Sequence, residues 1–181
     1  MRIALLALSA VLLAPLAALT QSASPHAVDI PSWFSETFLD LREDSRDAAK
    51  EGKRLMVYFG QESCPYCKAL MQTNFSQPRI VGKTRRHVIA LALNIWGDRP
   101  VTGFDGAVMR DKDFARAMGV QFTPTVIEVI RIEAYLRPFH LAGAFAYVSS
   151  GAFRNEPSFQ RFIKARAERL RQRGQPVDLW K

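Results

Sequence analysis

The chain has 181 residues and a formal net charge of +8, and it contains two cysteines. So few cysteines exclude an exported scaffold that is held together by several disulfides. The length suits one domain with its own hydrophobic core. The basic excess is concentrated between residues 154 and 173, where seven basic residues accompany two acidic ones.

Residues 1–23 have the pattern of a secretory signal peptide. Arg2 precedes an apolar run at residues 3–19, and small and polar residues follow around Ser22. The run is shorter than the roughly 20 residues that a membrane-spanning helix needs, so we expect cleavage rather than a retained anchor. We therefore expect export to the periplasm, which disfavours a nucleic-acid partner.

The segment that follows the signal peptide alternates between helical and strand patterns. Apolar residues recur at helical spacing over residues 35–50 and predict a first helix. The next predicted elements are a buried strand at residues 55–59, a helix at 65–74 with a short continuation at 78–82, and a buried strand at 87–94. This order predicts a βαβ unit with parallel strands.

The second half of the chain predicts further strand material and two longer helices. In order, we expect a loop at residues 95–110, a short helix with Asp111 as its cap, strand material at 120–132, a helix at 137–150 and a last helix from about Pro157. Arginines occupy much of the outer surface of the last helix. We expect this basic face to be solvated, and an acidic partner or an anionic membrane surface is the alternative.

Both cysteines lie in the motif Cys64-Pro65-Tyr66-Cys67, where the first predicted strand gives way to a helix. Pro65 suits the first position of a helix, so we expect Cys64 to cap that helix. A sulfur at the cap faces free backbone N–H groups and the positive end of the helix dipole, which both favour the thiolate. Cys64 is therefore the expected nucleophile. A disulfide between residues three apart encloses almost no loop, so its value is expected to lie in opening and closing.

The same cysteine spacing also occurs in metal and haem sites. Lys68 stands where a haem-attachment motif needs histidine, and zinc would need two further ligands from the three histidines of the chain. Copper(I), held by Cys64 and Cys67 with Met56 or Met71, is an alternative because soft sulfur ligands suit it. We expect no metal and no cofactor at the site.

The order of elements, the cysteine motif and a Thr-Pro pair together resemble the thioredoxin superfamily. Within it, residues 33–180 resemble the exported thioredoxins associated with bacterial sulfur oxidation, the SoxW-type group. The matching pieces are Gly52-Lys53-Arg54-Leu55, Cys64-Pro65-Tyr66-Cys67-Lys68, Phe122-Thr123-Pro124-Thr125 and Tyr135-Leu136-Arg137-Pro138-Phe139-His140. The resemblance implies an α/β thioredoxin-like fold, with a central mixed sheet flanked by helices, over residues 33–151. A basic helical extension at 152–181 is expected to pack on that domain.

The resemblance also implies thiol–disulfide exchange. Cys64, as the exposed cysteine, would attack a substrate disulfide, and the more buried Cys67 would resolve the mixed disulfide. Thr123-Pro124 would form a cis-proline turn that faces the pair and docks an extended substrate segment, while Pro65 and Tyr66 tune the redox balance. The expected substrates are disulfides of periplasmic proteins or sulfur compounds, and the expected electron donor is a membrane thiol carrier. A copper(I)-binding or non-catalytic partner protein is the alternative function.

Two features of the chain depart from the thioredoxin pattern. Many thioredoxins carry a buried aspartate six residues before the first cysteine, where this chain has Tyr58; the phenol either packs in the core or relays a proton through water. After Pro124, residues 125–135 contain no Gly, Asn, Asp or Pro for a tight hairpin turn. We therefore expect either one continuous strand or two shortened strands there.

The tetrad Cys-Pro-Tyr-Cys is also familiar from glutaredoxins, which would imply glutathione as the partner. Glutathione-dependent reduction belongs mainly to reducing compartments, and the N-terminal pattern predicts export. We therefore rank glutaredoxin-like use below exchange with protein disulfides.

Overall fold

The structure is a computed structural model that describes residues 28–128 and 130–181. The predicted signal peptide at residues 1–23 lies outside the described residues. Within the described ranges, every helix is too short or too polar to cross a membrane.

Helices and strands alternate through the described chain as the sequence predicts. The helices are α1 (Leu41–Lys50), α2 (Pro65–Ala69), α3 (Pro78–His87), α4 (Asp111–Ala117), α5 (Pro138–Ser149) and α6 (Phe159–Gln172), with a π-helical turn at Leu70–Asn74 and a 3-10 turn at Ala152–Arg154. The strands are β1 (Arg54–Gly60), β2 (Val88–Asn94), β3 (Pro100–Thr102), β4 (Val108–Arg110), β5 (Thr125–Ile127) and β6 (Arg131–Glu133).

The main sheet has the strand order β2-β1-β5-β6. β1 pairs in parallel with β2 and antiparallel with β5, and β5 pairs antiparallel with β6. The mixed sheet and the parallel βαβ unit that β1 and β2 form within it confirm the predicted α/β class. β1 lies between β2 and β5, so the cysteine motif begins just after the carboxyl end of an inner strand.

Helices cover both faces of the sheet. The side chains of Met56 and Tyr58 face a cluster that contains both cysteines together with residues of α3 and α5. The side chains of Val57 and Phe59 face the opposite cluster, formed with α1 and α4. This alternation follows from the two-residue period of a strand, and it explains why β1 is apolar along nearly its whole length.

The prediction that the first helix starts at Ser35 is wrong, because α1 starts at Leu41. Asp40 caps the helix, and its side chain accepts from the N–H groups of Arg42 and Glu43. The residue before it, Leu39, has a left-handed backbone with φ of 58°, which ends any helical continuation toward the N-terminus. Phe38 is fully exposed. Part of the apolar spacing that suggested a longer helix therefore belongs to an extended segment.

The predicted loop at residues 95–110 contains a small hairpin that the sequence reading missed. β3 and β4 pair antiparallel, with Val101 opposite Met109. Asp111, predicted as a helix cap, is instead the first residue of α4, and Arg110 stands at the cap position. The Asp111 carboxylate is buried and pairs with the guanidinium of Arg99 at 2.9 Å. The Asp111 carboxylate therefore pairs with Arg99 and does not act as the helix cap.

Two short strands follow Pro124, which is one of the two arrangements expected from the sequence. β5 and β6 have three residues each and are joined through residues 128–130. The Glu128 N–H donates to the carbonyl of Ile130 at 3.1 Å. The sheet edge after Pro124 is therefore a shortened hairpin rather than one continuous strand.

The basic C-terminal helix α6 packs on the outer side of α5. Ile163 and Ala167 are buried in a separate cluster with Phe139. A side chain at Gly143 of α5 would overlap Ile163, so the glycine lets the two helices approach closely. Ser158 caps α6 by accepting from the Arg161 N–H at 3.3 Å. The assignment of residues 152–181 as an extension of the domain stays a prediction.

Candidate active site

Cys64 caps α2, as predicted from Pro65 at the first helical position. The Cys64 backbone is extended, with φ of −90° and ψ of 103°, and its sulfur accepts from the Cys67 N–H at 3.0 Å. α2 continues without a break into the π-helical turn, whose last residue Asn74 donates from Nδ2 to the carbonyl of Leu136 at 2.8 Å. The cysteine helix is therefore held at both ends.

Cys64 and Cys67 form a disulfide, and their Cα atoms are 5.2 Å apart. Cys64 is 5% exposed and Cys67 is 0% exposed. The prediction that Cys64 is exposed is therefore wrong, because its side chain is buried. Cys64 is still the more accessible of the two cysteines, as predicted. Cys64 belongs to the buried cluster on this face of the sheet, and Thr123 lies against its sulfur.

The peptide bond between Thr123 and Pro124 is cis, as the resemblance implies. The Thr123 hydroxyl donates to the Cys64 sulfur at 3.4 Å, and the Thr123 carbonyl oxygen lies 3.7 Å from the same sulfur. Thr125, the next residue but one, donates from its hydroxyl to the Phe122 carbonyl at 2.7 Å and fixes the turn from the other side. The structure thus brings together the two sequence-predicted groups, the cysteine motif and the Thr-Pro pair.

Exposed aromatic side chains surround one side of the disulfide. Tyr66 is exposed and stacks on Tyr135, with ring centroids 6.5 Å apart. Phe122 is also exposed. Two cavities, of about 520 and 810 Å³, lie next to the cysteine motif. The larger cavity is lined by Tyr66, Phe122, Thr123 and Tyr135. The smaller cavity includes Cys64 and Lys68.

The sequence reading did not assign site roles to Phe122, Tyr135 or Trp96. Trp96 is exposed and donates from its ring N–H to the Gln61 side chain at 3.0 Å, so it lies beside the loop that leads into the motif. The sequence signal that could have identified them is the presence of large aromatic residues in predicted loops, because exposed aromatic side chains often mark binding surfaces. Only the folded chain brings Phe122 and Tyr135 together with Tyr66 around one cavity.

Comparison with known proteins identifies the family to which this fold belongs. The family described as Thioredoxin-like domain matches residues 41–148. The chain belongs to the thioredoxin-like family. A search of curated proteins found no matching sequence.

Among solved structures, a thioredoxin-fold protein from Helicobacter pylori is similar with a TM-score of 0.56 and 17% identity, and the match covers 75% of this chain and 92% of that one. A thioredoxin from Thermus thermophilus is similar at 21% identity with a TM-score of 0.48, over 65% of this chain and 90% of that one. At these identities the first likeness shows the thioredoxin-like fold and nothing about substrates.

Tyr58 occupies the core of this thioredoxin-like domain, beneath the disulfide side of the sheet. Its side chain is 1% exposed and belongs to the same buried cluster as Cys64 and Cys67. Burial raises the pKa of the Tyr58 phenol, because the charged form is poorly solvated there. Burial therefore favours the neutral phenol over the phenolate.

No group of three or more His, Cys, Asp or Glu side chains in the described part of the chain is arranged to hold a metal ion. The two methionines named in the copper alternative, Met56 and Met71, are both buried in the cluster of the cysteines. A thioredoxin-like domain with a disulfide at Cys-x-x-Cys spacing indicates thiol–disulfide redox chemistry.

Proposed function

We propose that the protein is an exported thiol–disulfide oxidoreductase that reduces disulfides of proteins or sulfur compounds in the periplasm. The observation that carries the proposal is the position of the Cys64–Cys67 disulfide at the start of α2, with Thr123 against the Cys64 sulfur. Support for export comes from the signal-peptide pattern at residues 1–23.

In the reduced protein, Cys64 is the attacking thiolate. The Cys67 N–H and the Thr123 hydroxyl, which contact the Cys64 sulfur in the disulfide form, are both placed to stabilise a negative charge on it. The free N–H groups at the start of the helix act in the same direction. These contacts favour the thiolate over the thiol at neutral pH.

The reaction proceeds by two exchanges of sulfur. The Cys64 thiolate attacks one sulfur of the substrate disulfide, which forms a mixed disulfide and releases one substrate thiolate that takes a proton from solvent. Cys67 loses its proton and attacks the Cys64 sulfur, which closes the Cys64–Cys67 disulfide and releases the second substrate thiolate. The substrate gains two electrons, which the protein loses, and two protons; because Cys64 reacts as the thiolate, one of these protons comes from Cys67 and the other from solvent.

The surface beside the disulfide suits an extended peptide. The Thr123 backbone lies next to the Cys64 sulfur, where an incoming strand would pair with it. Tyr66 and Phe122 are exposed and line a cavity with Thr123, where they would contact apolar side chains of that strand. We infer that these residues dock the segment that flanks a substrate disulfide.

A membrane thiol carrier is the proposed electron donor that reopens the disulfide after each turnover. The proposed link to sulfur oxidation rests on the resemblance to SoxW-type proteins, which includes the segment from Tyr135 to His140. The basic face of α6 is proposed to be solvated, with no nucleic-acid partner.

The reduction of insulin by dithiothreitol tests the proposed activity. The purified protein is expected to accelerate the precipitation of insulin chains, and the Cys64→Ser variant is expected to lose the acceleration. The Cys67→Ser variant should accumulate a mixed disulfide with the substrate, visible as a heavier band that dithiothreitol removes. Absence of both effects, together with binding of one equivalent of copper(I), would instead support the copper-binding alternative.

A further inference from the structure

Helices α3 and α6 each carry a stripe of basic side chains on one face. Arg79, Lys83 and Arg86 recur at four- and three-residue spacing along α3. Arg166 and Arg169 are three residues apart on α6. In the described part of the chain, none of these side chains forms an ion pair or a hydrogen bond with a carboxylate. We call these residues together the α3–α6 basic patch.

The two stripes lie close enough for their charges to repel each other. Burial lowers the pKa of the Lys83 ammonium, and the positive charges of Arg166 and Arg79 lower it further. The Arg166 guanidinium is half-buried over the ring of Phe139, with its central carbon 5.7 Å from the ring centroid. Its Nε is buried and has no hydrogen-bond partner among the described residues. The patch therefore lacks the counter-charge that partly buried cations normally have.

The opposite side of α6 is basic as well, but its arginines are neutralised. Arg161 pairs with Glu156 at 2.8 Å, and Arg171 pairs with Glu168 at 3.4 Å. Arg161 precedes Arg166 by five residues, which places the two side chains on different faces of the helix. The neutralised side is the basic face that is proposed above to be solvated, and it is distinct from the α3–α6 basic patch.

An exposed tryptophan lies at one end of the patch. The Trp180 side chain is 55% exposed, and its carbonyl oxygen accepts from the Gln77 side chain at 3.3 Å, at the start of α3. The carbonyl of the preceding residue, Leu179, accepts from the N–H of Phe139 at 3.2 Å. Phe139 is the ring that lies under the Arg166 guanidinium. Trp180 is therefore tied to both helices of the patch.

The charges around Trp180 are positive in balance. The Arg137 guanidinium lies 5.3 Å from its ring centroid. Asp178 accepts from the Trp180 N–H at 2.8 Å, and its carboxylate pairs with Lys181 at 3.4 Å. Tryptophan beside unpaired cations is typical of surfaces that bind anionic lipids, because the ring enters the headgroup region while the cations meet the phosphates.

We propose that the α3–α6 basic patch and Trp180 bind the surface of a membrane that carries anionic phospholipids. The headgroup phosphates supply the counter-charges that Lys83 and Arg166 lack. A protein partner would require an apolar interface core, and the exposed large apolar side chains of the described residues, apart from Trp180, lie outside α3, α5 and α6. Binding would hold the protein at the surface of the proposed electron donor, but it does not depend on the redox function.

Co-sedimentation with lipid vesicles tests the charges of the patch. The unmodified protein is expected to bind vesicles of phosphatidylglycerol and phosphatidylcholine in equal parts, and to be released as the salt concentration rises. The exposed pair is removed in the double variant Arg79→Gln/Arg86→Gln, which should bind roughly 10- to 30-fold more weakly. The double variant Arg161→Gln/Arg171→Gln loses the same charge from the neutralised side of α6 and should stay close to the unmodified protein.

Tryptophan fluorescence tests the position of the ring. Addition of the anionic vesicles should move the emission to shorter wavelength in the unmodified protein and in Trp96→Phe, whose substituted ring is also exposed. The shift should be absent in Trp180→Phe. Every variant has the same N-terminus, so binding by the apolar run at residues 3–19 cancels in the comparison.

Three outcomes would overturn the proposal. Equal weakening in the two double variants would show that net charge alone attracts the protein, and vesicle binding that neither variant changes would show that the patch is not involved. Binding of soluble polyglutamate without binding of vesicles would assign the patch to an acidic protein. The Cys64→Ser variant should bind vesicles as the unmodified protein does, so the outcome is independent of the proposed redox activity.

Discussion

The hydroxyl of Thr123 donates to the sulfur of Cys64 across 3.4 Å, although the two residues are 59 positions apart. This contact joins the turn before β5 to the start of α2. The same atom accepts from the Cys67 N–H. The reactivity of Cys64 should therefore depend on both neighbours.

Replacement of Thr123 by valine should raise the pKa of the Cys64 thiol. The change removes one donor to the thiolate while it keeps the shape of the side chain, so we expect a rise of about 0.5 to 1 unit. The rate of Cys64 alkylation in the reduced protein, followed from pH 5 to 9, measures it. Thr123→Ser keeps the hydroxyl and should stay close to the unmodified protein. Thr84→Val, in α3, is the control, and a pKa that does not move in Thr123→Val would show that the contact is incidental.

Gly60 and Tyr58 should be energetically coupled. Gly60→Ala places a methyl group where the Tyr58 hydroxyl lies, and we expect the free energy of unfolding to fall by about 1 to 3 kcal/mol because the buried ring must move. In the Tyr58→Phe background the same change should cost less, since the hydroxyl is gone. Ring carbons of residue 58 remain too close for full recovery. Urea denaturation of the four proteins in the cycle gives the coupling, and simple additivity would contradict it.

Removal of the buried side chain of Ile163 should weaken the attachment of α6. Ile163→Ala is expected to lower the free energy of unfolding by about 2 to 4 kcal/mol, because it leaves a cavity against α5. Insulin reduction at a temperature where the variant is folded should be retained, since Ile163 lies in a cluster apart from the cysteines. Gln160→Ala, on the exposed side of the same helix, is the control. Loss of turnover in folded Ile163→Ala would show that α6 shapes the site.

The stability of the protein should fall as the pH rises through the titration of Glu128. Burial raises the pKa of Glu128 from 4.5 to about 7, although the Arg54 guanidinium 3.9 Å away acts in the opposite direction. The folded state therefore favours the protonated carboxyl, and this contribution is present below pH 4.5 and lost as the pH rises to about 7.

Glu128→Gln removes that titration. Between pH 5 and 8, the difference in the free energy of unfolding between Glu128→Gln and the unmodified protein should grow by about 1 to 3 kcal/mol in favour of the variant. Chemical denaturation at several pH values measures it. Glu168→Gln, on the surface of α6, should show no such trend, and a pH-independent difference for Glu128→Gln would contradict the buried carboxylate.

Much of the fold was predictable because two strands of the main sheet are buried on both faces. β1 and β2 read as continuous apolar runs, and the proline after Cys64 located the start of α2. The start of α1 was not predictable from spacing, because the left-handed backbone at Leu39 leaves no periodic signal. The hairpin of β3 and β4 was missed because each strand has only three residues.

The residues of the candidate site were predictable from the sequence. Their burial and their contacts were less predictable. The cysteine motif is local, whereas the cis bond before Pro124 followed from the family resemblance, since local sequence favours the trans form. The contact between Cys64 and Thr123 joins residues far apart in the chain, and spacing within the motif carries no information about it. The unpaired hydroxyl of Tyr58 likewise emerges only when β1 and the motif are folded together.

Redox titration of the Cys64–Cys67 pair tests the central claim most directly. The protein is equilibrated in dithiothreitol or glutathione buffers of defined potential, and free thiols are trapped by alkylation and read from the change in mass. We predict a single two-electron transition of both cysteines, with a midpoint nearer the roughly −270 mV of thioredoxin than the roughly −120 mV of a strong periplasmic oxidant. A pair that does not open reversibly would contradict the redox function, and a midpoint near the oxidant's would contradict its direction.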